Sequence, residues 1–448
     1  MHVLPQLRKL ERQYERELVI IGIHSGKFTA ERVTENIRQA VLRLDVKHPV
    51  VNDRYFRIWR SYNIDAWPTL VLIDPKGYEI GAYPGEITAE AFQPIIDQFI
   101  DEFDAKGEID RTPLAFLVET MRETDQPLAF PAKVLATEDQ RVFIADTRHN
   151  RILVVALQGD GTEGRVQEII GRGKAGFDDG DFQAATFHRP QGLALQDNIL
   201  YIADTENHAI RAIDLHTKQV KAAAGSGQES WQINTTGRGT QVGLNSPWDI
   251  VSVDGALYIA MAGLHQLWRL IPGTGDIHPY AGSRFEELTD GPLHRAGLAQ
   301  PSGITADGQR LYFADSESSA IRQADLDPSG EVETIVGKGL FDFGDKDGIG
   351  GHARLQHPQG IVWYQGLLYV ADTYNNKIKT VDPSSHMSTT LVGSPEPGFR
   401  DGDQPLFYEP GGISAANGKL FVADTNNHRV RVVDMNTRSV TTLKLKGI

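Results

Sequence analysis

The sequence predicts two domains, an α/β domain followed by an all-β six-bladed propeller, and three observations support this prediction. The chain has 448 residues, which is too long for one ordinary hydrophobic core. From residue 131 to the C-terminus one sequence unit recurs six times, with successive copies 52 to 59 residues apart and without a helical pattern. Residues 1–103 instead alternate helix-like and strand-like segments, which is typical of an α/β domain.

The elements of the α/β domain are predicted from the spacing of its apolar residues and from its turn residues. In chain order they are a helix with Leu4, Leu7, Leu10 and Tyr14 on one face, a buried strand over 18–23, a helix over 31–44, a hairpin of 69–73 and 78–83 across the turn 74–77, and a helix over 91–103.

Residues 104–130 are predicted to be a linker with a short helix over 114–123 between Pro113 and Pro127. Its apolar residues indicate that it packs against both domains instead of extending into solvent; they are Leu114, Phe116, Leu117 and Met121.

Residues 131–448 are predicted to form the propeller, because each repeat contains four short apolar segments separated by turn residues. Each repeat opens with a proline that is followed two positions later by glycine or a substitute, at Pro131/Lys133, Pro190/Gly192, Pro247/Asp249, Pro301/Gly303, Pro358/Gly360 and Pro410/Gly412. Five repeats then contain Ala-Asp, ending at Asp146, Asp204, Asp315, Asp372 and Asp424, whereas the third reads Ala260-Met261. Six four-stranded sheets around an axis leave only short, protected strand edges.

Composition narrows the classes of partner and chemistry. The net charge of -14 disfavours binding to nucleic acid, and no apolar stretch approaches the roughly 20 residues that span a bilayer. The chain contains no cysteine, which removes disulfides, thiolate chemistry and cysteine-bound zinc from these residues. An amphipathic pattern follows Met1 in place of a secretory leader, so a cytoplasmic location is predicted.

Several motifs resemble one family. In the α/β domain they are Met1-His-Val-Leu-Pro5, Gly22-Ile-His-Ser25, Arg38-Gln-Ala-Val-Leu42, His48-Pro-Val-Val-Asn-Asp53 and Ala66-Trp-Pro-Thr-Leu70, and in the propeller they are Asn207-His-Ala-Ile210 and Asn427-His-Arg-Val430. The chain resembles the NHL repeat-containing protein 2 family and its bacterial relatives over nearly its whole length. The resemblance implies a thioredoxin-like domain before an NHL-repeat propeller. It also implies a cis Pro68 and a binding groove formed by His24, Trp67 and Pro68.

In that family, a strand and a Cys-x-Asn-Cys motif precede the segment similar to Met1–Pro5. Two hypotheses follow. In the first, translation starts upstream of Met1 and the native protein carries this strand and a redox-active cysteine pair; the presence of His24, Trp67 and Pro68 favours it. In the second, the domain is truncated, inactive in redox chemistry and retained for binding. The resemblance places the missing strand between those at 18–23 and 69–73, whose backbone groups would lose partners.

Repeated charged residues in the propeller are predicted to hold the repeats together. A cation often follows the Ala-Asp aspartate after seven residues, at Arg211, Arg322, Lys379 and Arg431. The acid-rich turns near Asp179, Asp290, Asp347 and Asp401 invite a calcium interpretation. An EF-hand loop would need acidic or amide side chains at positions occupied by Phe343 and Arg354, so inter-blade turns are favoured instead.

The propeller channel is the second candidate binding site, because residues that vary between repeats are free to serve a ligand. The residue before each repeat's proline forms such a set: Phe130, Arg189, Ser246, Gln300, His357 and Glu409. The third repeat is the most divergent, with Trp248, Asp249, Met261 and Trp268 in place of the usual residues; the two tryptophans either mark a site or pack between blades. The predicted channel-mouth residues are Arg189, Trp248, Asp249, Gln300, His357 and Glu409, without a metal or cofactor.

Three functions fit these observations. The leading one is a scaffold that binds a protein or peptide client through the groove and the propeller. The second is a thiol-disulfide oxidoreductase whose cysteines lie upstream of Met1. The third is a hydrolase or lyase acting in the propeller channel, although no three-ligand metal site is visible in the sequence. Neither nucleic acid nor a membrane is predicted as a partner, and the oligomeric state is left open.

Overall fold

The computed structural model describes residues 3–112, 114, 116, 126–232 and 235–448. The chain forms two compact units, Met1–Asp125 and Gln126–Ile448. The predicted helix over 114–123 and its packing lie outside the described residues, apart from Leu114 and Phe116, whose side chains are exposed.

The first unit contains the predicted elements in the predicted order. Its core is formed where Leu10 and Tyr14 of the first helix pack against Phe92 and Ile96 of the last one. Thr88 caps that last helix, because its hydroxyl accepts a hydrogen bond from the Ala91 amide. The α-helices are Val3–Gln13, Thr34–Leu44, Arg57–Ser61 and Ala89–Ala105, with a 3₁₀ turn at Ala30–Arg32, and the strands are Gly22–His24, Val50–Asn52, Thr69–Ile73 and Glu79–Pro84.

The four strands of this unit form two separate pairs. Gly22–His24 runs parallel to Val50–Asn52, whereas Thr69–Ile73 forms an antiparallel hairpin with Glu79–Pro84. Among the described residues, no strand pairing joins the two. Gly22–His24 and Thr69–Ile73 therefore each have a hydrogen-bonded strand on one edge only.

The prediction of a buried strand over 18–23 is wrong in extent and in burial. The strand comprises only Gly22–His24, and the side chains of Val19, Ile21 and Ile23 are exposed. Alternate residues of an extended segment point to the same side, so the side that carries these three residues is partly open to solvent.

The second unit is a six-bladed propeller, as predicted. Four strands form each blade. They are, for blades 1 to 6, Val134–Ala136, Arg141–Asp146, Arg151–Gln158 and Glu163–Ile170; Pro190–Gln196, Ile199–Asp204, Ala209–Asp214 and Gln219–Ala224; Pro247–Val253, Ala256–Met261, Gln266–Ile271 and Asp276–Ala281; Pro301–Ala306, Arg310–Asp315, Ala320–Asp325 and Glu331–Val336; Gly360–Tyr364, Leu367–Asp372, Lys377–Val381 and Met387–Gly393; Pro410–Ala416, Lys419–Asp424, Arg429–Asp434 and Val440–Thr442.

Blades 2 to 5 also carry a two-residue strand on their outer edge, which the repeat pattern did not predict. These strands are Gly180–Asp181, Gly237–Arg238, Gly291–Pro292 and Gly348–Ile349. Further 3₁₀ turns lie at Gly239–Gln241 and Gly350–His352. In blade 1 the outer position is taken by Lys444–Lys446, which pairs in parallel with Glu163–Arg165 and so joins the end of the described chain to the first blade.

Apolar side chains fill the interfaces between blades. Among the described residues of the propeller there are six clusters of buried residues, and each lies between two consecutive blades, including the pair formed by blades 6 and 1. Sheets that pack face to face in this way share their cores with both neighbours. The stability of one blade therefore depends on the next.

Candidate functional site

Each blade is tied to the next by a residue with positive φ. A 3₁₀ turn follows the second strand of each blade, at Thr147–His149, Thr205–Asn207, Ala262–Leu264, Ser316–Ser318, Thr373–Asn375 and Thr425–Asn427. The next residue has φ between 48° and 55° and is Asn150, His208, His265, Ser319, Asn376 or His428.

The side chain of this residue accepts a hydrogen bond from the backbone N–H of the pre-proline residue in the next blade. The donor–acceptor distances are 2.9 Å for Arg189–Asn150, 3.0 Å for Ser246–His208, 3.2 Å for Gln300–His265, 3.1 Å for His357–Ser319, 2.9 Å for Glu409–Asn376 and 3.1 Å for Phe130–His428. The last bond closes the ring between blades 6 and 1. The histidine or asparagine of the repeat motif thus has a structural role.

A hydroxyl group makes a second tie between blades. The residue after the Ala-Asp aspartate donates to the carbonyl oxygen of the next blade's proline, as Thr205 does to Pro247 at 2.7 Å and Thr425 to Pro131 at 2.9 Å. Thr147, Ser316 and Thr373 do the same. Blade 3 has Ala262 at this position and cannot make the bond.

Four blades contain a buried ion pair between the Ala-Asp aspartate and the cation seven residues later. In blade 2, Arg211 lies 3.0 Å from Asp204, and both side chains are fully buried. A second carboxylate, Asp179 of the acid-rich turn, lies 2.7 Å from the same guanidinium. Burial raises the pKa of Asp204 to about 6, against the opposing effect of the Arg211 charge. Asp290, Asp347 and Asp401 contact Arg322, Lys379 and Arg431 in the same way.

Blade 3 replaces this ion pair with apolar side chains. Trp268 faces Ile259 in the strand pairing, just as Arg211 faces Ile202 in blade 2. Trp268 and Met261 are both fully buried, and the indole N–H donates to Gln266 at 3.0 Å. In blade 3, Met261 stands in place of the aspartate and Trp268 in place of the cation, so apolar packing replaces the buried ion pair.

The predicted channel-mouth residues lie at the blade junctions. All six pre-proline residues have φ between 48° and 56°. Their side chains form local contacts: Arg189 pairs with Glu206 at 3.1 Å, and His357 lies 3.2 Å from Glu317 and stacks on Tyr374 at 4.5 Å. Gln300 is half-buried and Glu409 is buried. A ligand-binding role for these four channel residues stays a prediction.

An ion pair crosses the propeller axis. The ammonium group of Lys133 in blade 1 lies 3.0 Å from Asp249 of blade 3, and it donates to the carbonyl oxygens of Ser302 in blade 4 at 2.8 Å and Gln359 in blade 5 at 2.6 Å. Both charged residues are buried. Burial lowers the pKa of Lys133 and raises that of Asp249. We call this contact the axial ion pair.

The axial ion pair changes the interpretation of the third blade's divergent residues. Asp249 was predicted at the channel mouth, but its carboxylate faces Lys133 and accepts from the amides of Ile250 and Ile304. Trp248 is also buried. Burial of Trp248 fits the alternative that it packs between blades, and a ligand-binding role for Trp248 and Asp249 stays a prediction.

Glycine occupies the position of Lys133 and Asp249 in the other four blades, and close packing is the reason. A Cβ atom would lie 2.4 Å from the Asp249 Cα at Gly192, 2.7 Å from the Gln359 oxygen at Gly303, 2.4 Å from the Gly411 oxygen at Gly360 and 2.6 Å from the Ala132 oxygen at Gly412. The sequence already showed a lysine and an aspartate at this repeated glycine position. Their opposite charges are the signal that could have revealed the pair.

Replacing His428 with asparagine is expected to reduce the loss of stability in acid. Burial lowers the pKa of His428 from 6.5 to about 4, so the unfolded chain binds this proton more readily than the folded one. The stability that depends on neutral His428 is complete above pH 6.5 and declines as the pH falls towards 4. Asparagine keeps the acceptor, as Asn150 and Asn376 show, without a titratable ring.

The measurement is the free energy of unfolding of wild type and His428→Asn at neutral pH and near pH 4. Between neutral pH and pH 4, wild type is expected to lose about 1 to 2 kcal/mol more of its free energy of unfolding than His428→Asn loses. Parallel pH curves for the two proteins would contradict a role for this histidine.

In the first unit, polar side chains lie close together where the two parallel strands end. His24 ends one strand, and Asp53 follows the other. The Ser25 hydroxyl donates to Asp53 at 3.0 Å. Burial alone would favour the neutral acid, but amide hydrogen bonds from Trp59, Ile58 and Arg57 lower the pKa of Asp53. Asp53 is therefore an anion that positions the start of the helix Arg57–Ser61.

An aromatic surface with one exposed tryptophan lies beside these groups. Phe56, Trp59 and Trp67 form it, and we call it the tryptophan surface. The ring centroids are 4.5 Å apart for Trp59–Trp67, 5.7 Å for Phe56–Trp59 and 6.3 Å for Phe56–Trp67. Trp67 is 46% exposed, although its indole N–H donates to the Ser25 carbonyl oxygen at 2.7 Å. The tryptophan is thus held in place while one of its faces remains open to a partner.

The predicted groove residues are far apart in sequence for His24 and Trp67 but close in space, because the Trp67 indole bonds to Ser25, the neighbour of His24. The Trp67–Pro68 peptide bond is cis, as the resemblance implies. The Nε2 atom of His24 is buried, and within the described chain it has no hydrogen-bond partner. A buried polar atom without a partner is uncommon in folded proteins. Nothing in the structure tests their role in binding, which stays a prediction.

No metal centre accompanies these sites in the part of the chain that the structure describes. Within residues 3–112, 114, 116, 126–232 and 235–448, no group of three or more histidine, aspartate and glutamate side chains is placed to hold an ion. The carboxylates of the acid-rich turns face arginine or lysine instead.

Comparison with known proteins identifies the family. A thioredoxin-like family model matches residues 1–79, and the NHL repeat matches residues 187–213 and 407–433. NHL repeat-containing protein 2 of Bos taurus is 39% identical over 98% of this chain and 65% of its own length, and the Homo sapiens protein is 39% identical over 99% and 66%. The chain belongs to the NHL repeat-containing protein 2-like family. This confirms the predicted resemblance and fold class.

A second relative of the NHL repeat-containing protein 2-like chain is the Arabidopsis thaliana protein SUPPRESSOR OF QUENCHING 1, chloroplastic, which is 40% identical over 100% of this chain and 44% of its own length. The chain spans less than two thirds of the length of these relatives. Among solved structures, a streptogramin B lyase covers 72% of this chain and 86% of its own, with a TM-score of 0.44 and 13% identity. At these values it carries no information about function.

Among the described residues of this family member, no helix has both the length and the apolar character needed to cross a membrane.

Proposed function

We propose that this member of the NHL repeat-containing protein 2-like family is a protein-binding scaffold that receives a peptide segment of its client on the tryptophan surface. The observation that carries the proposal is Trp67, which is 46% exposed while fixed by its hydrogen bond to Ser25 and by Trp59. A large aromatic side chain that is already ordered loses little conformational entropy on binding, and tryptophan is enriched among residues that dominate binding energy.

The propeller supports the scaffold proposal by its rigidity. Two hydrogen bonds close the ring between blades 6 and 1: the Phe130 backbone N–H donates to His428, and the Thr425 hydroxyl donates to the Pro131 carbonyl oxygen. The axial ion pair engages Lys133 and Asp249 with each other and with blades 4 and 5, so these two charged side chains serve the packing of the blades. These contacts favour a platform over the hydrolase or lyase hypothesis.

The redox hypothesis has a separate requirement. Thiol-disulfide exchange proceeds through a thiolate, and the 448 residues contain no cysteine. We therefore propose binding, and not exchange, for these residues. A cytoplasmic location stays a prediction, and the Arabidopsis relative is named as a chloroplastic protein.

Trp67→Ala is expected to weaken the binding of peptides selected on the wild-type protein. A random peptide library displayed on phage would be enriched on the full chain, and individual peptides would then be measured by fluorescence anisotropy against both proteins. Removing a central aromatic anchor of an interface typically costs about 2 kcal/mol or more, so Kd should rise at least about 30-fold.

The matched control is Trp231→Ala. Trp231 is a tryptophan of the propeller that is 38% exposed, close to the exposure of Trp67. Its replacement should leave the affinity of the selected peptides unchanged. Equal affinities for wild type and Trp67→Ala, with both proteins folded, would sink the groove proposal.

A further inference from the structure

The segment from residue 54 to residue 60 alternates arginines with aromatic and aliphatic side chains. It reads Arg54-Tyr-Phe-Arg-Ile-Trp-Arg60, and it holds three arginines and no acidic residue in a chain whose net charge is -14. We call it the arginine–aromatic segment. It continues directly into the tryptophan surface, because Phe56 and Trp59 belong to both.

The arginines of this segment are presented to solvent. Arg54, Arg57 and Arg60 are exposed, and the Tyr55 side chain is 61% exposed. The Arg54 and Arg57 guanidinium groups lie 5.0 Å and 5.8 Å from the centroid of the Tyr55 ring. An arginine that rests on an aromatic ring is oriented but keeps its N–H donors free for another group.

No carboxylate neutralises these cations among the described residues. Within the described chain no ion pair involves Arg54, Arg57 or Arg60, and the Arg60 guanidinium donates to the Tyr55 carbonyl oxygen at 3.0 Å. The adjacent carboxylate, Asp53, is buried and its oxygens accept from Ser25 and from the amides of Arg57, Ile58 and Trp59. A positive surface therefore lies beside the exposed indole ring of Trp67.

We infer that the arginine–aromatic segment selects an acidic peptide: a client segment with glutamate or aspartate side chains that face Arg54 and Arg57 and an apolar side chain that packs on Trp67. This inference rests on the proposed function and adds the chemical class of the client. Arginine binds carboxylates through paired N–H donors, and charge complementarity sets which partners associate.

A peptide fits this surface better than a nucleic acid does. A polynucleotide carries a phosphate at every residue and needs a long track of cations, whereas the arginine–aromatic segment offers three arginines in a protein with a charge of -14. A short acidic segment brings a few carboxylates, which these arginines can match.

The test uses two labelled synthetic peptides and the full chain. One alternates glutamate and glycine around a central leucine, and its twin has glutamine at every glutamate position. Fluorescence anisotropy would compare wild type, Arg54→Glu/Arg57→Glu and Arg284→Glu at low and high ionic strength. Arg284 is the matched control, because its guanidinium lies 5.0 Å from the ring of Phe285, which is 56% exposed on the propeller.

Wild type and Arg284→Glu should bind the glutamate peptide at least about tenfold tighter than the glutamine twin at low salt, with the difference falling at high salt. Arg54→Glu/Arg57→Glu should remove the difference. Equal binding of the two peptides by wild type would overturn the inference, as would tighter binding of a labelled oligothymidylate than of the glutamate peptide.

The outcome also separates this inference from the scaffold proposal. If library-selected peptides lose affinity with Trp67→Ala but keep it with Arg54→Glu/Arg57→Glu, the acidic client is wrong and the groove stands. If neither variant alters their binding, both are wrong.

Discussion

Lys133→Met is expected to destabilise the protein by about 3 to 5 kcal/mol, the cost typical of leaving one charge of a buried ion pair without its partner. Asp249 would remain in the interior after its 3.0 Å contact with Lys133 is lost, and the Ser302 and Gln359 carbonyl oxygens would lose a donor. The measurement is the free energy of unfolding of the full chain in urea, followed by far-UV circular dichroism.

Removing both charges of the axial ion pair should restore most of that loss. The variant Lys133→Met/Asp249→Leu leaves no uncompensated carboxylate, and apolar replacements of buried ion pairs are often neutral in stability. Lys218→Met is the control, since Lys218 and Glu168 form an exposed ion pair whose loss should cost less than about 1 kcal/mol. A Lys133→Met protein as stable as the Lys218→Met protein would contradict this account of the axis.

Arg211→Trp in blade 2 is expected to cost about 3 kcal/mol or more, because Asp204 would stay fully buried without its guanidinium. The replacement copies Trp268, which occupies the same place in blade 3. Blade 3 accommodates a tryptophan at this position where no carboxylate faces it, so the loss in blade 2 is expected to come from the uncompensated carboxylate of Asp204. The same unfolding measurement gives the loss.

A triple variant tests this explanation. Asp204→Met/Asn207→Leu/Arg211→Trp converts the buried polar set of blade 2 to the residues of blade 3, Met261, Leu264 and Trp268. It should recover most of the stability lost by Arg211→Trp alone, since the aspartate and the asparagine that bonds to it leave together. If the triple variant is less stable than the single one, the two blades do not share an interchangeable interior.

The propeller was predictable because the same pattern of apolar segments and turn residues recurs in every repeat. Asp204 and Arg211 were expected to tie the structure together from their fixed spacing alone, and the structure places them in contact. Prediction from the local pattern failed for the segment 18–23, where a run of apolar residues predicted a buried strand. Whether Ile21 is covered depends on what packs over the strand, and a local pattern does not contain that information.

The candidate site was predicted in part. Trp67, Pro68 and His24 came from a resemblance, whereas the arginines between 54 and 60 were not considered, although their alternation with aromatic residues was visible in the sequence. Asp249 was recognised as unusual, but its partner was not. Lys133 lies 116 positions away along the chain, so only the closed ring brings the two together.

The sequence by itself determined the order of the two domains, the number of blades and the residues that recur at each junction, because a repeat must satisfy the same backbone geometry every time it occurs. Only the tertiary structure decided which of the irregular residues meet. The convergence of six blades on one axis buries Lys133 and Asp249 together, and the fold of the first unit leaves Trp67 exposed beside Arg54 and Arg57. These contacts arise from distances between elements, which the order of residues along a chain does not specify.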